Sequence, residues 1–487
     1  MAKRKRSGRP PQPQHSAKSN PSRHDKRQRL ATPNPQRRST NAAAVPLVGG
    51  LAVLTTAMSR LLDKRIAFRL PILIAGAMLA SGRRTAASWF RRAGVTDDWD
   101  RFYELLQSIG KDAASVMLPM LRFVMKKFDP GEGGFWTMAI DDSPTKRFGP
   151  CVEAANIHHN PTPGPGDGDW LYGHNWVCLA MLLRHPWFGV IALPMLSRLY
   201  VRKIDIDKLK ERYDWEFRTK HELALELLRH VIRMLRALGS KAGFIVVFDG
   251  AYAAGKLIRP LLAEGVIVIT RLRCDAKLFD LPVSEPGKRG RPRKYGENRI
   301  NLSKLADSRD GWETIRYACR GIMVEARYKT FLATSHVVGG KVRVVILEHA
   351  SGNWAAYIST EASMSVEMIL KTVSERWAIE EHFHDVKEVW GAGQQQVRNV
   401  WSSIGCWNLC GWMYGLVELE CWDRTAEQLV DRSDRPWDNP SRRPSHADRR
   451  RQIVREMLRN EFFSDPHSAS DEAKIRERFE RLLSLAA

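Results

Sequence analysis

The seven cysteines of this 487-residue chain, at 151, 178, 274, 319, 406, 410 and 421, form no CxxC pair and follow no regular spacing. So scattered a set excludes a zinc-ribbon pattern and a disulfide framework, and reduced cysteines of a cytoplasmic protein are expected. Long apolar runs are lacking too. The best candidate, NAAAVPLVGGLAVLTTAMS at 41–59, is interrupted by Pro46, Gly49 and Gly50 and carries several hydroxyl groups. It is too broken for a membrane span and too far from Met1 for a signal sequence, so it reads as a buried helix and no membrane partner is expected. Acid is also in short supply: 54 Asp+Glu face 77 Lys+Arg, a formal net charge of +23. That excess favours a polyanionic partner, nucleic acid first, over an acidic small molecule.

Residues 1–45 hold almost no large apolar side chain and carry twelve Lys/Arg against a single acid, Asp25. Such a segment cannot bury enough surface to offset its ordering entropy, so a disordered basic arm is expected, serving DNA or only solubility. From 46 to 130 the pattern is helical and reads as a DNA-binding region. In FRLPILIAGAMLASGRRTAASWFRRAGV an apolar helix, a Ser81-Gly82 break and a second helix capped by Thr85 carry Arg83, Arg84, Trp89, Arg91 and Arg92. This is the outline of a helix-turn-helix; a packed hairpin with a solvated basic face is the alternative.

Residues 131–270 have an α/β rhythm. FWTMAIDD, NWVCLAMLL, FGVIALPML, GFIVVFDG and VIVITRL read as five strands, with the amphipathic ELALELLRHVIRMLRALG and the shorter KLIRPLLAEG as helices between the later ones. That order predicts a mixed sheet covered by helices on both faces. Residues 271–363 read as a β-rich insertion, 364–400 as the last helix of the core, and 401–487 as a tryptophan-containing helical region.

Strand one runs into Asp141-Asp142 and strand four into Asp249. Carboxylates converging at the ends of buried strands repel one another, and a hard divalent cation is the natural compensation. Aspartates that merely cap the following turn are the alternative. A helix over 374–388, SERWAIEEHFHDVKE, supplies a third acid. At about 100° per residue, Arg376, Glu380 and Lys387 fall within about 40° of one another, beside an apolar stripe of Ile379, Phe383, Val386 and Trp390. Glu381 lies about 100° from Glu380 and reads as a surface acid.

In these residues the chain resembles the bacterial insertion-sequence transposases of the DDE, RNase H-like class, in the cut-and-paste branch whose last helix carries Y-x2-R-x3-E-x6-K. Arg376, Glu380 and Lys387 match that spacing, while Val373 stands at the tyrosine position. IDDSPTKR resembles the family's D-x-[ST], favouring Asp141 over Asp142, and FDGAY matches the second acid at Asp249. The resemblance spans roughly residues 70–400. It implies an RNase H-like fold with a β-rich insertion between helical N- and C-terminal regions. It further implies that Asp141, Asp249 and Glu380 are catalytic and hold two Mg2+ or Mn2+ ions, and that Arg376 and Lys387 contact DNA phosphates. Trp377, and more loosely Trp354, match aromatics on which some members stack a flipped base; both also suit a core.

The implied function is metal-dependent cleavage and strand transfer at transposon ends, acting on double-stranded end and target DNA. A homodimer in a synaptic complex and a cytoplasmic, nucleoid-associated location go with it. A catalytically inactive, domesticated DNA-binding descendant is the alternative. RGRP at 289–292 resembles an AT-hook core, with Arg289 and Arg291 placed to enter a minor groove, or is a solvated basic loop. His158, His159 and His174 lack the cysteine partners or the i, i+4 spacing of a zinc site.

Overall fold

Short polar caps divide the first helices. The computed structural model describes residues 45–463, except 161–162, 164–167, 211, 284–292, 350 and 433–436, together with 475, 478, 481 and 482. The basic arm at 1–45 therefore lies outside the described residues apart from Val45, as do Arg289 and Arg291. The chain opens with α1 (Gly49–Ser59), α2 (Lys64–Ala67), α3 (Arg69–Leu79), α4 (Ala86–Arg92), α5 (Trp99–Lys111), α6 (Ala113–Val116) and α7 (Leu118–Lys127). Asp63 accepts from the Arg65 amide to start α2, and Thr85 accepts from the Ser88 amide to start α4.

The α/β part follows as β1 (Phe135–Lys146), β2 (Asn156–His159), β3 (Trp170–His185), β4 (Gly189–Tyr200), α8 (Lys203–Lys210), α9 (Lys220–Ala237), β5 (Gly243–Phe248), α10 (Gly255–Ala263) and β6 (Val266–Leu272). Next come β7 (Leu278–Phe279), β8 (Arg299–Ile300), α11 (Leu302–Asp307), β9 (Glu313–Cys319), β10 (Ile322–Ser335), β11 (Gly340–Glu348) and β12 (Trp354–Ser359). The chain then continues through α12 (Val366–Glu375), α13 (Ala378–Glu388), α14 (Val400–Glu420), α15 (Ala426–Leu429) and α16 (His446–Phe463).

Five strands stand in the order β4-β3-β1-β5-β6. β3 runs antiparallel to β1 and β4, whereas β5 and β6 run parallel to β1. This is the RNase H-like mixed sheet that the sequence implied. The β-rich insertion does not stand apart from it. β12 pairs antiparallel with β6, and β11 and β10 continue outward, so the described strands form one twelve-stranded sheet.

The 21-residue α14 is the hub of the other layer. Every residue in it except Trp401 and Glu420 is buried, so Trp407 and Trp412 are core residues of this chain. No described helix is long and apolar enough to cross a membrane. α14 also repairs the sheet. The β3–β4 register shifts between Leu179 and Ala180, leaving Met195 unmatched. Trp412 Nε1 donates to the freed Met195 carbonyl at 2.8 Å, and Asn408 Oδ1 accepts from the Ser197 amide at 2.9 Å. Trp407 stacks flat on Trp176 of β3, with ring centres 5.1 Å apart.

α14 crosses α5 at glycines. A Cβ on Gly405 would lie 1.9 Å from the Leu106 carbonyl oxygen, and one on Gly110 1.9 Å from that of Trp401. Backbone atoms cannot yield as a side-chain tip can. Gly405→Ala is therefore expected to lower stability by roughly 1–3 kcal/mol, read as a lowered urea midpoint. An unchanged midpoint would show that the two helices can separate freely.

Candidate active site

Sheet register places the first two acids. Ile140 of β1 is paired with Phe248 of β5, so the next residues, Asp141 and Asp249, stand side by side where the parallel pairing stops. β5 ends there, but β1, which the sequence predicts to end at its acids, runs on to Lys146 against β3. Successive strand residues point to opposite faces, which separates Asp141 from Asp142. Asp142 is taken up by Lys220 at the start of α9, Nζ to Oδ2 2.6 Å, and receives the Tyr252 hydroxyl at 3.2 Å. Asp249 also starts the single turn Gly250–Tyr252, its Oδ1 accepting from the Ala251 amide at 2.9 Å.

The third acid arrives on a helix that breaks. The sequence predicts one helix over 374–388; the structure ends α12 at Glu375 and begins α13 at Ala378. No proline or glycine marks the break. The ladder tightens to i→i−3 bonds there, from Trp377 to Ser374, Ile379 to Arg376 and Glu380 to Trp377. Arg376 turns inward, one guanidinium nitrogen 2.7 Å from Asp141 Oδ2 and another 2.8 Å from Glu380 Oε1. Trp377 turns outward under the Arg320 guanidinium, which lies 3.8 Å from the ring centre. Below the break the predicted face holds: Ile379, Phe383, Val386 and Trp390 are all buried. Glu381, 43% exposed, pairs with Arg443 at 3.0 Å.

The far end of α13 is clamped. Trp390 Nε1 donates to His446 Nε2 at 2.8 Å, and His446 Nδ1 lies 2.7 Å from the buried Glu418 carboxylate. Despite burial, Arg449 and His446 hold Glu418 below the usual carboxylate range. Arg84, at the start of α4, reaches the Glu388 carbonyl at 3.2 Å. Trp89 is fully buried, so it is not part of an exposed basic face with Arg83 and Arg91.

Burial pushes the Asp141 carboxyl up to about 7; Arg376 opposes the shift, and neighbouring Asp249 adds to it. Burial likewise lowers the Lys387 ammonium, which makes no ion pair with a described carboxylate. Asp141, Asp249, Glu380, Lys387 and Trp377 line one groove of about 2360 Å³. Trp354 lines neither this groove nor the smaller cavity of about 670 Å³ beside Arg376.

Among the described residues no three His, Cys, Asp or Glu side chains are grouped to hold a metal ion. The acids are thus not a closed cage, because Glu380 is turned to Arg376. The donor chemistry still fits a hard divalent cation. Asp141 and Glu380 share one guanidinium, and burial, with Asp249 alongside, holds the Asp141 carboxyl above its ordinary range, a shift a bound cation would reverse. The three histidines do not assemble such a site. His174 accepts from Arg147 at Nδ1 and meets the Glu153 carbonyl at Nε2, His158 is buried, and His159 is exposed.

An RNase H-like sheet with neighbouring aspartates, one within its first core strand and one just past its fourth, defines the class. The chain belongs to the DDE superfamily endonucleases, whose family model matches residues 58–324, more than half of the sequence. A solved structure, a cryo-EM structure of the piggyBac transposase synaptic complex with hairpin DNA, is similar with a TM-score of 0.36. Its sequence identity is 11%, and the match covers 91% of this chain and 79% of that one. No curated protein matches the sequence.

Lys220, which occupies Asp142, carries no motif, and Tyr252, though part of FDGAY, gives no sign in the sequence that its hydroxyl meets Asp142, because only tertiary pairing brings them there. A carboxyl raised in the folded state ionises first in the unfolded chain. Stability therefore falls as pH rises from about 4 to about 7 and is level above that. Asp141→Asn, which keeps the shape but cannot ionise, is expected to abolish this fall between about pH 4 and pH 7 in the metal-free protein, on top of a pH-independent cost for losing the charge opposite Arg376. Urea unfolding in chelator measures this; a fall with pH as large as that of wild type would refute the assignment.

Proposed function

We propose that this DDE endonuclease is a transposase of the insertion-sequence type, which cuts at transposon ends and joins them to target DNA. The observation that carries the reading is the Arg376 bridge. It draws Asp141 and Glu380 together beside Asp249, in the open groove of about 2360 Å³.

In this reading Asp141, Asp249 and Glu380 hold divalent cations, two Mg2+ or Mn2+ ions, with Glu380 joining once Arg376 releases it. When bound, such ions activate the attacking oxygen and stabilise the leaving oxygen of a phosphodiester. The chain's own residues do the rest. Arg376, freed from the acids, presents its planar fork to a phosphate, and Lys387 offers a point charge from within the groove wall. Trp377, at the groove, offers a face for an unpaired base. Trp354, outside the groove, serves better as a support for β12.

Double-stranded DNA as partner accords with the +23 charge, and pairing two ends calls for a homodimer in the synaptic complex. Residues 1–45, the helices of 46–130 and Arg289 with Arg291 are proposed as further DNA contacts. A cytoplasmic, nucleoid-bound location follows from the same reading. A domesticated, inactive descendant has no specific observation in its favour, since DNA binding alone requires no carboxylates at the strand ends.

The test is cleavage of labelled duplexes taken from the DNA flanking the gene, with Mg2+ present. Asp249→Asn and Glu380→Gln are expected to reduce cutting by a factor on the order of a thousand while duplex binding persists. Cutting at wild-type rates by both variants would sink the enzyme reading.

A further inference from the structure

The register that aligns the two aspartates does not stop with them. Ile140, Phe248, Thr270 and Ile358 are partners across β1, β5, β6 and β12. The next residue on each strand therefore falls in one row on one face: Asp141, Asp249, Arg271 and Tyr357, with Arg271 and Tyr357 themselves directly opposite. The row is two acids followed by a cation and a phenol. Arg376 lies over its middle, bonded to Asp141 at one side and close enough to Tyr357 to oppose the upward shift that burial gives its phenol.

Beyond Asp249 the row opens into the separate cavity of about 670 Å³, lined by Asp249, Arg271, Arg273, Tyr357, Val373 and Arg376 among others. Three guanidinium groups and one tyrosine face a single carboxylate there. Arg273 is paired with Asp275 at 3.0 Å, but Arg271 is exposed and has no ion pair with any described residue. Val373 contributes only a short aliphatic wall, so the space is not filled from α12.

We propose that this cavity is a phosphate-binding site, resting on the reading of the chain as a DNA-cutting enzyme. It takes a backbone phosphate of the DNA strand next to the one at the acids, through Arg271 and the Tyr357 hydroxyl. The chemistry favours an oxyanion over other occupants. The guanidinium forks offer hydrogens only and the phenol can add one more, in a wall with one acid that already caps its own turn. The spacing agrees as well. Strands lie about 4.8 Å apart, so Arg271 and Tyr357 stand roughly 5 and 10 Å along the row from Asp249, a few nucleotide steps at most. Tyr357 on the sheet and Val373 on α12 border this same cavity, so a hydroxyl could be supplied to it from either position.

The test measures binding of the full chain to the flanking-DNA duplex by anisotropy, without divalent metal, over a series of salt concentrations. Arg271→Ala, an exposed position expected to fold normally, should weaken binding about tenfold. It should also reduce the slope of log K against log salt by about one. A single methylphosphonate that neutralises the contacted phosphate should cost wild type as much and cost Arg271→Ala nothing further. Tyr357→Phe, which keeps the ring, should lose affinity with its slope unchanged, and Val373→Tyr in that background should restore it.

An unchanged slope in Arg271→Ala, or additive losses at every methylphosphonate position, overturns the site while leaving the transposase reading intact. Wild-type protein that neither binds nor cuts the duplex overturns that reading instead. Inorganic phosphate that raises the melting temperature of wild type but not of Arg271→Ala, with no methylphosphonate coupling, assigns the cavity to free phosphate and overturns the DNA assignment.

Discussion

One guanidinium holds the two halves of the site together. Arg376 is 19% exposed and its partner Asp141 18%, so neither charge is well hydrated, and each needs the other more than a surface pair would. The same fork reaches Glu380 four residues further along. Arginine suits this position because its planar donors serve two carboxylates on different elements, which a lysine point charge cannot do with comparable geometry. The bridge fixes the rotation of α13 about its axis. Everything else on that helix follows, including the burial of Ile379, Phe383, Val386 and Trp390 and the orientation of Lys387 into the groove.

A bridge of this kind works only if both of its ends are stiff. β1 is stiff because β3 and β5 flank it, and β3 is in turn held through β4 by α14, whose Trp412 and Asn408 satisfy the bulge. At the other end α13 is anchored by the Trp390, His446 and Glu418 chain to α14 and α16, and by Arg84 to α4. The helical regions on either side of the sheet in sequence are therefore parts of one support. A DNA-contacting role for the N-terminal helices has to be compatible with that docking. Arg83 and Arg91 are exposed, but the buried Trp89 and the partly buried Arg84, which bonds the Glu388 carbonyl, belong to the support.

What could be read from the chain was what is local. Apolar runs that end in acids mark β1 and β5, and a helical wheel places Arg376, Glu380 and Lys387 together, because both periodicities are set by the backbone alone. Three features were not legible. Nothing in SERWAIEEHFHDVKE foretells the break at Arg376 and Trp377, since the forces that tighten the ladder come from Asp141 and from the Arg320 stack. Motif reading could favour Asp141 over Asp142 and included Tyr252 in FDGAY, but could not pair Asp142 with Lys220 and Tyr252 on the opposite face. The segment 271–363 reads as strands in any context, yet its pairing with β6 is a long-range choice that composition does not encode.

The pairing of β12 with β6 also bears on Val373. Read along the helix alone, a valine at that position is a defect in the Y-x2-R-x3-E-x6-K pattern. Across the sheet it is compatible with a complete set of polar groups, because Tyr357 stands in the row that already holds Asp141, Asp249 and Arg271. A sheet position is the stiffer support for a hydroxyl. Its direction is set by hydrogen-bonded neighbours on both sides, whereas position 373 lies three residues before a helix break whose geometry depends on the Arg376 bridge. If Arg376 leaves the acids when substrate enters, a tyrosine on the helix would be disturbed by the same movement. One on β12 would not, and the insertion that looked like an interruption of the core is what provides it.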